Sequence, residues 1–258
     1  MRARVVTRLE PYLVAIAELP ESAESAPEAE GSIVVVDGQG DWCSAAADAL
    51  ARGAAAIIVS RPSPAPVGSL DALAAVVQSV PVILERDLLR ADAVDLVRDS
   101  MSEIATPAVL AVECHAPRPQ LGTALHDAIG WARVIAGARL SVRSGASSGG
   151  RVLGLLEAGP DAAVPVIAGE QPGAGPLGCV RVTTLAETRL EVEAARDVVV
   201  AVTDSTGRRV LPALFESPHR VALRRAIAAV CTGTGTVDLR DLRDDAAAVE
   251  ALLATAGA

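Results

Sequence analysis

From Ser32 onward the chain alternates short continuous apolar runs with longer stretches whose apolar positions recur every three to four residues. Residues 33–36, 55–60, 81–85 and 108–114 are apolar runs of strand length. Residues 42–52, 70–78 and about 87–101 carry the helical spacing. Strands that are apolar on both faces belong in a parallel sheet covered by helices on each side, so this half predicts an α/β layer arrangement. Residues 20–31 are acidic, small and without periodicity, and read as a surface loop or linker preceded by one or two short strands.

After a helix over about 124–136 the alternation stops and strand follows strand: 139–143, 151–157, 164–168, 179–184, 189–193 and 198–204. Turns such as Gly159-Pro160-Asp161 and Asp204-Ser205-Thr206-Gly207 separate them, the pattern of a mostly antiparallel sheet. A helix over about 218–231, stopped by Thr232-Gly233-Thr234-Gly235, and another over about 239–253 close the chain. The expected division is residues 1–120 and 121–258.

Composition narrows the picture. Apolar residues make up 51% but aromatics only 2%, so Ala, Val and Leu must build the core through many small contacts. No run approaches the roughly 20 apolar residues that span a bilayer. The basic start at Arg2 and Arg4 is followed by Arg8, Glu10 and Pro11, unlike a secretory leader. A cytoplasmic protein is expected, without a membrane partner. The net charge of −9 and scattered arginines argue against a nucleic-acid partner. Cys43, Cys114, Cys179 and Cys231 lie far apart and read as buried reduced thiols rather than a metal site or disulfide framework.

Several local runs resemble one family. Ile33 to Asp37, Cys43 to Gly53, and Ala56-Ile57-Ile58-Val59-Ser60-Arg61-Pro62 resemble the strand, "A-L-x-x-G" helix and "V-x-x-E-K-P" strand end of the glucose-fructose oxidoreductase / inositol dehydrogenase (Gfo/Idh/MocA) family. Leu125-His126-Asp127 through Trp131 to Gly137 resembles the family helix that carries His and Asp and ends "W-L-x-G". The stretch from Ala229 to Gly233, followed by Val237, Asp238 and Asp241, resembles its closing elements. The resemblance implies α/β followed by α+β: an incomplete Rossmann-like parallel sheet with helices, then a large open mostly antiparallel sheet and closing helices. It also implies NAD(P) and a sugar or polyol-like substrate.

The departures matter as much. The family's first βαβ unit holds G-x-G-x-x-G, where glycines let amides approach a pyrophosphate. No such motif precedes Ser32, and most of the first two β-α units is expected to be missing. The literal Gly173-Ala174-Gly175-Pro176-Leu177-Gly178 lies between two expected strands and reads as a hairpin loop. Arg61 stands where the resemblance implies a proton-transferring lysine, and the chain contains no lysine at all; Arg stays protonated and does not act as a general acid or base. Counting back from Gly137, neither His126 nor Asp127 recovers the flanking acids of the family's helix.

The remaining candidates are therefore few. Arg61, His126 and Asp127 are the catalytic candidates. Glu113, His115, Arg118 and Gln120 follow what reads as the last parallel strand, where open α/β sheets place ligands. Trp42 and Trp131 read as core, and His219 as part of a helix start. The expectation is a non-catalytic binding or partner subunit, with an active family relative as a candidate partner and no cofactor. The alternatives are an NAD(P)-dependent oxidoreductase acting on a sugar-like substrate, and a structural dimerisation protein. A homodimer through the sheet of residues 139–204 is expected, with a small sugar-like ligand as the further partner.

Overall fold

The computed structural model describes residues 2–77, 79–102, 104, 107–160 and 162–256. Gln78, at the end of an expected helix, and Asp161, in an expected turn, lie outside them. The chain divides into two compact units, Met1–Arg86 with Phe215–Arg243, and Asp87–Leu214 with Asp244–Ala258.

The first unit begins with β1 (Ala3–Val6), α1 (Glu10–Ala17), β2 (Ala23–Ser25) and β3 (Ile33–Asp37). α2 (Trp42–Ala51), β4 (Ala56–Ser60), α3 (Val67–Val77) and β5 (Val82–Glu85) follow. The five strands form one parallel sheet in the order β2-β1-β3-β4-β5. Every residue of β4 and β5 is buried, as their unbroken apolar runs require. Asp41 caps α2 by accepting from the Ser44 amide at 3.2 Å, and the Trp42 indole donates to the Ser63 carbonyl at 3.0 Å.

Two expectations change here. The segment before Ser32 holds a shortened first β-α-β unit instead of lacking one, and β2 lies within the stretch that reads as a linker. α1 buries Tyr12, Ala15 and Ile16 into the core shared with Val5, Ile33 and Ile58.

The second unit opens with α4 (Ala91–Met101) and β6 (Val109–Ala116), and a 3₁₀ turn over Arg118–Gln120 leads into α5 (Leu121–Ala136). Seven strands follow: β7 (Leu140–Ser148), β8 (Arg151–Ala158), β9 (Ala162–Glu170), β10 (Cys179–Leu185), β11 (Arg189–Ala194), β12 (Val198–Asp204) and β13 (Gly207–Val210). They form an eight-stranded sheet with β6, in the order β13-β12-β11-β10-β6-β9-β8-β7. All pairs are antiparallel except β6 with β9. One face is core, where Val112, Val166, Val182 and Val192 pack with Ile129 and Trp131 of α5. Gly137 ends α5 in the left-handed conformation at φ 63°. α6 (Pro218–Thr232), capped by Ser217, belongs to the first unit and packs on β4, β5 and α1. α7 (Asp238–Ala256) begins in the first unit and continues in the second from Asp244.

The boundary expected after residue 120 thus falls after Arg86, because β6 is a strand of the mixed sheet and not the last strand of the parallel one. The loop holding Gly173, Gly175 and Gly178 is not a hairpin, since β9 and β10 are both paired to β6 and the connection crosses that strand's end. Gln171 donates to the Ala116 carbonyl at 2.9 Å as the chain passes. Gly178 has φ 86°, and a Cβ there would lie 2.5 Å from the Ala116 Cβ, so the crossing requires glycine. All four cysteines are free, but Cys231 is exposed where a buried thiol was expected. Burial pushes the Cys114 thiol up to about 12.

Candidate functional site

Polar side chains collect at the carboxyl edge of the parallel sheet, where such sheets place ligands. Ser60 ends β4 and Glu85 ends β5, and the two are register partners on neighbouring strands. Tyr12 reaches the same point from α1 and His219 from the first turn of α6. The Tyr12 hydroxyl donates to Glu85 Oε2 at 2.5 Å, and Ser60 Oγ donates to the same oxygen at 2.9 Å. His219 Nδ1 lies 2.8 Å from Glu85 Oε1, within ion-pair range but off the line of a well-directed hydrogen bond. The Tyr12 and His219 rings sit 5.2 Å apart between centroids. Tyr12, Ser60 and Glu85 are all buried. Burial, then the charge of Glu85, raises the Tyr12 phenol well above its ordinary value, so it stays a donor.

Arg61 continues from this cluster in an unusual conformation. Among the described residues it alone combines a side chain with positive φ, at 52°. Its amide donates to the Glu85 carbonyl at 2.9 Å, and its own carbonyl accepts from Gln39 Nε2 at 2.9 Å. The Gly38 amide donates to the Ser60 carbonyl at 2.7 Å, and a Cβ on Gly38 would fall 2.3 Å from that oxygen. The left-handed residue is thus held by the strand ends on either side, and strain so held concentrates at functional sites.

The residues singled out from the sequence fall in both units, Arg61 in the first and the others in the second. His126 and Asp127 are buried in α5 of the second unit. His126 Nδ1 lies 2.8 Å from the Gly122 carbonyl of its own helix, and Asp127 accepts from the Leu88 amide at 2.9 Å. Trp131 donates to the Leu88 carbonyl at 2.7 Å, so Asp127 and Trp131 clasp one segment from both sides. Glu113 and His115 alternate with the buried Val112 and Cys114 on β6, which puts them on the sheet face away from α5. Arg118 and Gln120 lie in the 3₁₀ turn before α5. The strand-end argument for these four no longer applies, because β6 is flanked by antiparallel β10 and parallel β9.

Sequence reasoning missed Tyr12 and Glu85 and gave His219 only a helix-start role. One signal was present: Glu85 is a charged residue closing an unbroken apolar strand, at the end where ligands bind. Among the described residues, no group of His, Cys, Asp and Glu is arranged to hold a metal ion.

No protein-family model and no curated protein matches the chain. Solved structures do. A 3-ketoreductase from Actinomadura kijaniata, in complex with TDP-benzene and NADP, aligns over 99% of this chain and 97% of its own, at 14% identity and TM-score 0.71. A UDP-N-acetylglucosamine 3-dehydrogenase from Acidithiobacillus ferrooxidans aligns over 100% and 98%, at 12% identity and TM-score 0.76. The chain shares the fold of these two enzymes. At these identities the likeness is one of fold.

The first of these structures holds NADP, and sheets of this kind place a dinucleotide's pyrophosphate on the first strand-to-helix turn, here between β1 and α1; the residues there do not fit it. That turn is Thr7-Arg8-Leu9, without glycine. The Leu9 amide donates to Thr7 Oγ1 at 3.1 Å. Tyr12 and Leu13 donate their amides to the Leu9 carbonyl, and Pro11 has none. Glu10 adds a negative charge to the first helical turn, where a phosphate would need the positive end of the dipole.

Proposed function

We propose that this chain is a ligand-binding protein on an oxidoreductase fold, taking a small sugar-like molecule at the carboxyl edge of its parallel sheet without nicotinamide chemistry. The observation that carries the reading is the β1–α1 turn, where committed amides, Pro11 and Glu10 leave no cradle for a pyrophosphate. Arg61 in place of a lysine supports it, because a guanidinium stays charged and does not relay a proton. The strained Arg61 and the buried polar cluster beside it support the choice of edge. Thermal shift of the full chain against a panel of neutral sugars, polyols and sugar acids, with no cofactor present, tests this. A saturable rise in melting temperature with at least one class is the expected result, and no response to any of them contradicts it.

A second reading has its own support. Two solved neighbours over nearly the whole chain are a 3-ketoreductase and a UDP-N-acetylglucosamine 3-dehydrogenase, which favours a sugar oxidoreductase holding its cofactor by other groups. Cofactor-dependent turnover of a sugar or sugar nucleotide would establish it.

The outer face of the eight-stranded sheet supports a homodimer as the assembly in which this binding protein works. Leu153 pairs with Ile167, and Leu155 with Pro165, in adjacent register. Leu153, Leu155 and Ile167 are 52%, 40% and 48% exposed, a contiguous apolar stripe rather than scattered side chains. A two-fold contact of roughly 2,000 Å² would cover it.

A further inference from the structure

The outer face of the eight-stranded sheet carries charge as well as the apolar stripe, and the charges indicate how a second copy sits, on the premise of the homodimer reading above. Charged side chains on this face pair almost throughout. Glu157 pairs with Arg143 at 2.6 Å, Arg181 with Glu193 at 2.9 Å, and Glu191 with both Arg189 and Arg208 at 2.8 and 3.3 Å. Among the described residues, two on this face make no ion pair, the anion Glu113 on β6 and the cation Arg151 on β8, and both are exposed. Glu113 is the register partner of Arg181, but that guanidinium donates to Glu193 on its other side. Gly169 places the Arg151 side chain: the two are register partners, and a Cβ on the glycine would meet Arg151 Cγ at 3.5 Å, so the side chain lies across the outer face.

Their positions relative to the stripe make the face self-complementary. Cross-strand register sets Glu113 beside Ile167 and Ile167 beside Leu153, while Arg151 stands two residues before Leu153 on the same strand. With strands about 4.8 Å apart and same-face residues about 6.8 Å apart along them, the line in the sheet plane about which Glu113 and Arg151 exchange runs between Ile167 and Leu153. A two-fold axis on that line carries each Glu113 to the partner's Arg151 and turns the stripe onto its own copy. A groove of about 440 Å³, lined by Ser144, Ala146, Leu153, Leu155, Pro165 and Ile167, gives the partner's apolar side chains a place to lie. Chains of net charge −9 repel one another, so opposite charges flanking the stripe favour this face for contact.

We propose that two copies dock on this face with the axis between Ile167 and Leu153, and that the Glu113–Arg151 pair, made twice, sets the register.

Sedimentation of the full chain at micromolar concentration tests this. Glu113→Arg and Arg151→Glu each set like charges together at both ends of the contact, and each alone is expected to weaken the dimer at least about tenfold. An equal mixture of the two variants joins opposite charges at both ends again, and is expected to dimerise about as tightly as the parent. Both positions are exposed, so the melting temperatures of the variants are expected to stay near the parent's. Single variants that dimerise like the parent, or a mixture that stays monomeric, overturn this inference and leave the homodimer reading intact, whereas a monomeric parent overturns both. A second measurement needs no variant that could fail to fold: the parent dimer is expected to loosen about tenfold between about 50 mM and about 500 mM salt, because exposed ion pairs are screened. A dissociation constant that does not move with salt overturns the pairing.

Discussion

Tyr12 and Glu85, 73 residues apart in sequence, meet through a 2.5 Å hydrogen bond that ties α1 to the carboxyl end of β5. The bond holds a buried carboxylate that would otherwise rely on Ser60 and an imidazole alone.

Its contribution is measurable and has a definite pH dependence. Tyr12→Phe is expected to cost about 1.5–3 kcal/mol at pH 7, the range for a hydrogen bond to a charged group. Because folding raises the Tyr12 pKa, the contribution is complete below the unfolded value of about 10 and is lost as pH rises beyond it, where only the unfolded phenol ionises. The phenylalanine variant has no such loss, so the gap between the two proteins narrows above pH 10. Urea midpoints at pH 7 and 10.5 check this, and a gap that widens with pH contradicts it.

The crossing loop over β6 predicts unequal costs for similar glycines. Gly175 and Gly178 both have positive φ, but a Cβ on Gly175 meets nothing within 4 Å while one on Gly178 meets Ala116 and the His115 carbonyl. Gly175→Ala should cost about 1 kcal/mol from strain, and Gly178→Ala about 3 or more from strain and overpacking together. Thermal melts of the two variants decide it. Equal costs would mean the loop does not press on β6.

Assembly is testable at the exposed stripe. An arginine at Val200, in the middle of β12, would not probe the contact, because Val200 faces the unit's own core at 3% exposure. Ile167→Arg is the informative change. It should give monomer in sedimentation with a melting temperature close to the parent's, since an unpaired charge is buried only in the dimer. A parent chain that sediments as monomer at micromolar concentration contradicts the proposal.

Most of the fold was legible because it rests on periodicity. Residues 33–60 show it best, since β3 and β4 are unbroken apolar runs and α2 lies between them at the expected place. α1 was missed although Tyr12, Ala15, Ile16 and Leu19 hold helical spacing, because Pro11 reads as a break; at the first turn of a helix it is compatible. β6 was placed in the wrong sheet although its alternation of Val112 and Cys114 with Glu113 and His115 marks a strand covered on one face only. The site was hardly legible at all. Tyr12, Ser60, Glu85 and His219 come from four elements, and no local motif brings them together; only the strand order and the return of α6 to the first unit do so.

The central claim is that the β1–α1 turn cannot hold a dinucleotide. Titration calorimetry of the full chain with NADPH and NADH at millimolar concentration tests it most directly. No saturable heat is the predicted result. A dissociation constant in the low micromolar range would contradict the account and return the chain to the sugar oxidoreductases whose fold it shares.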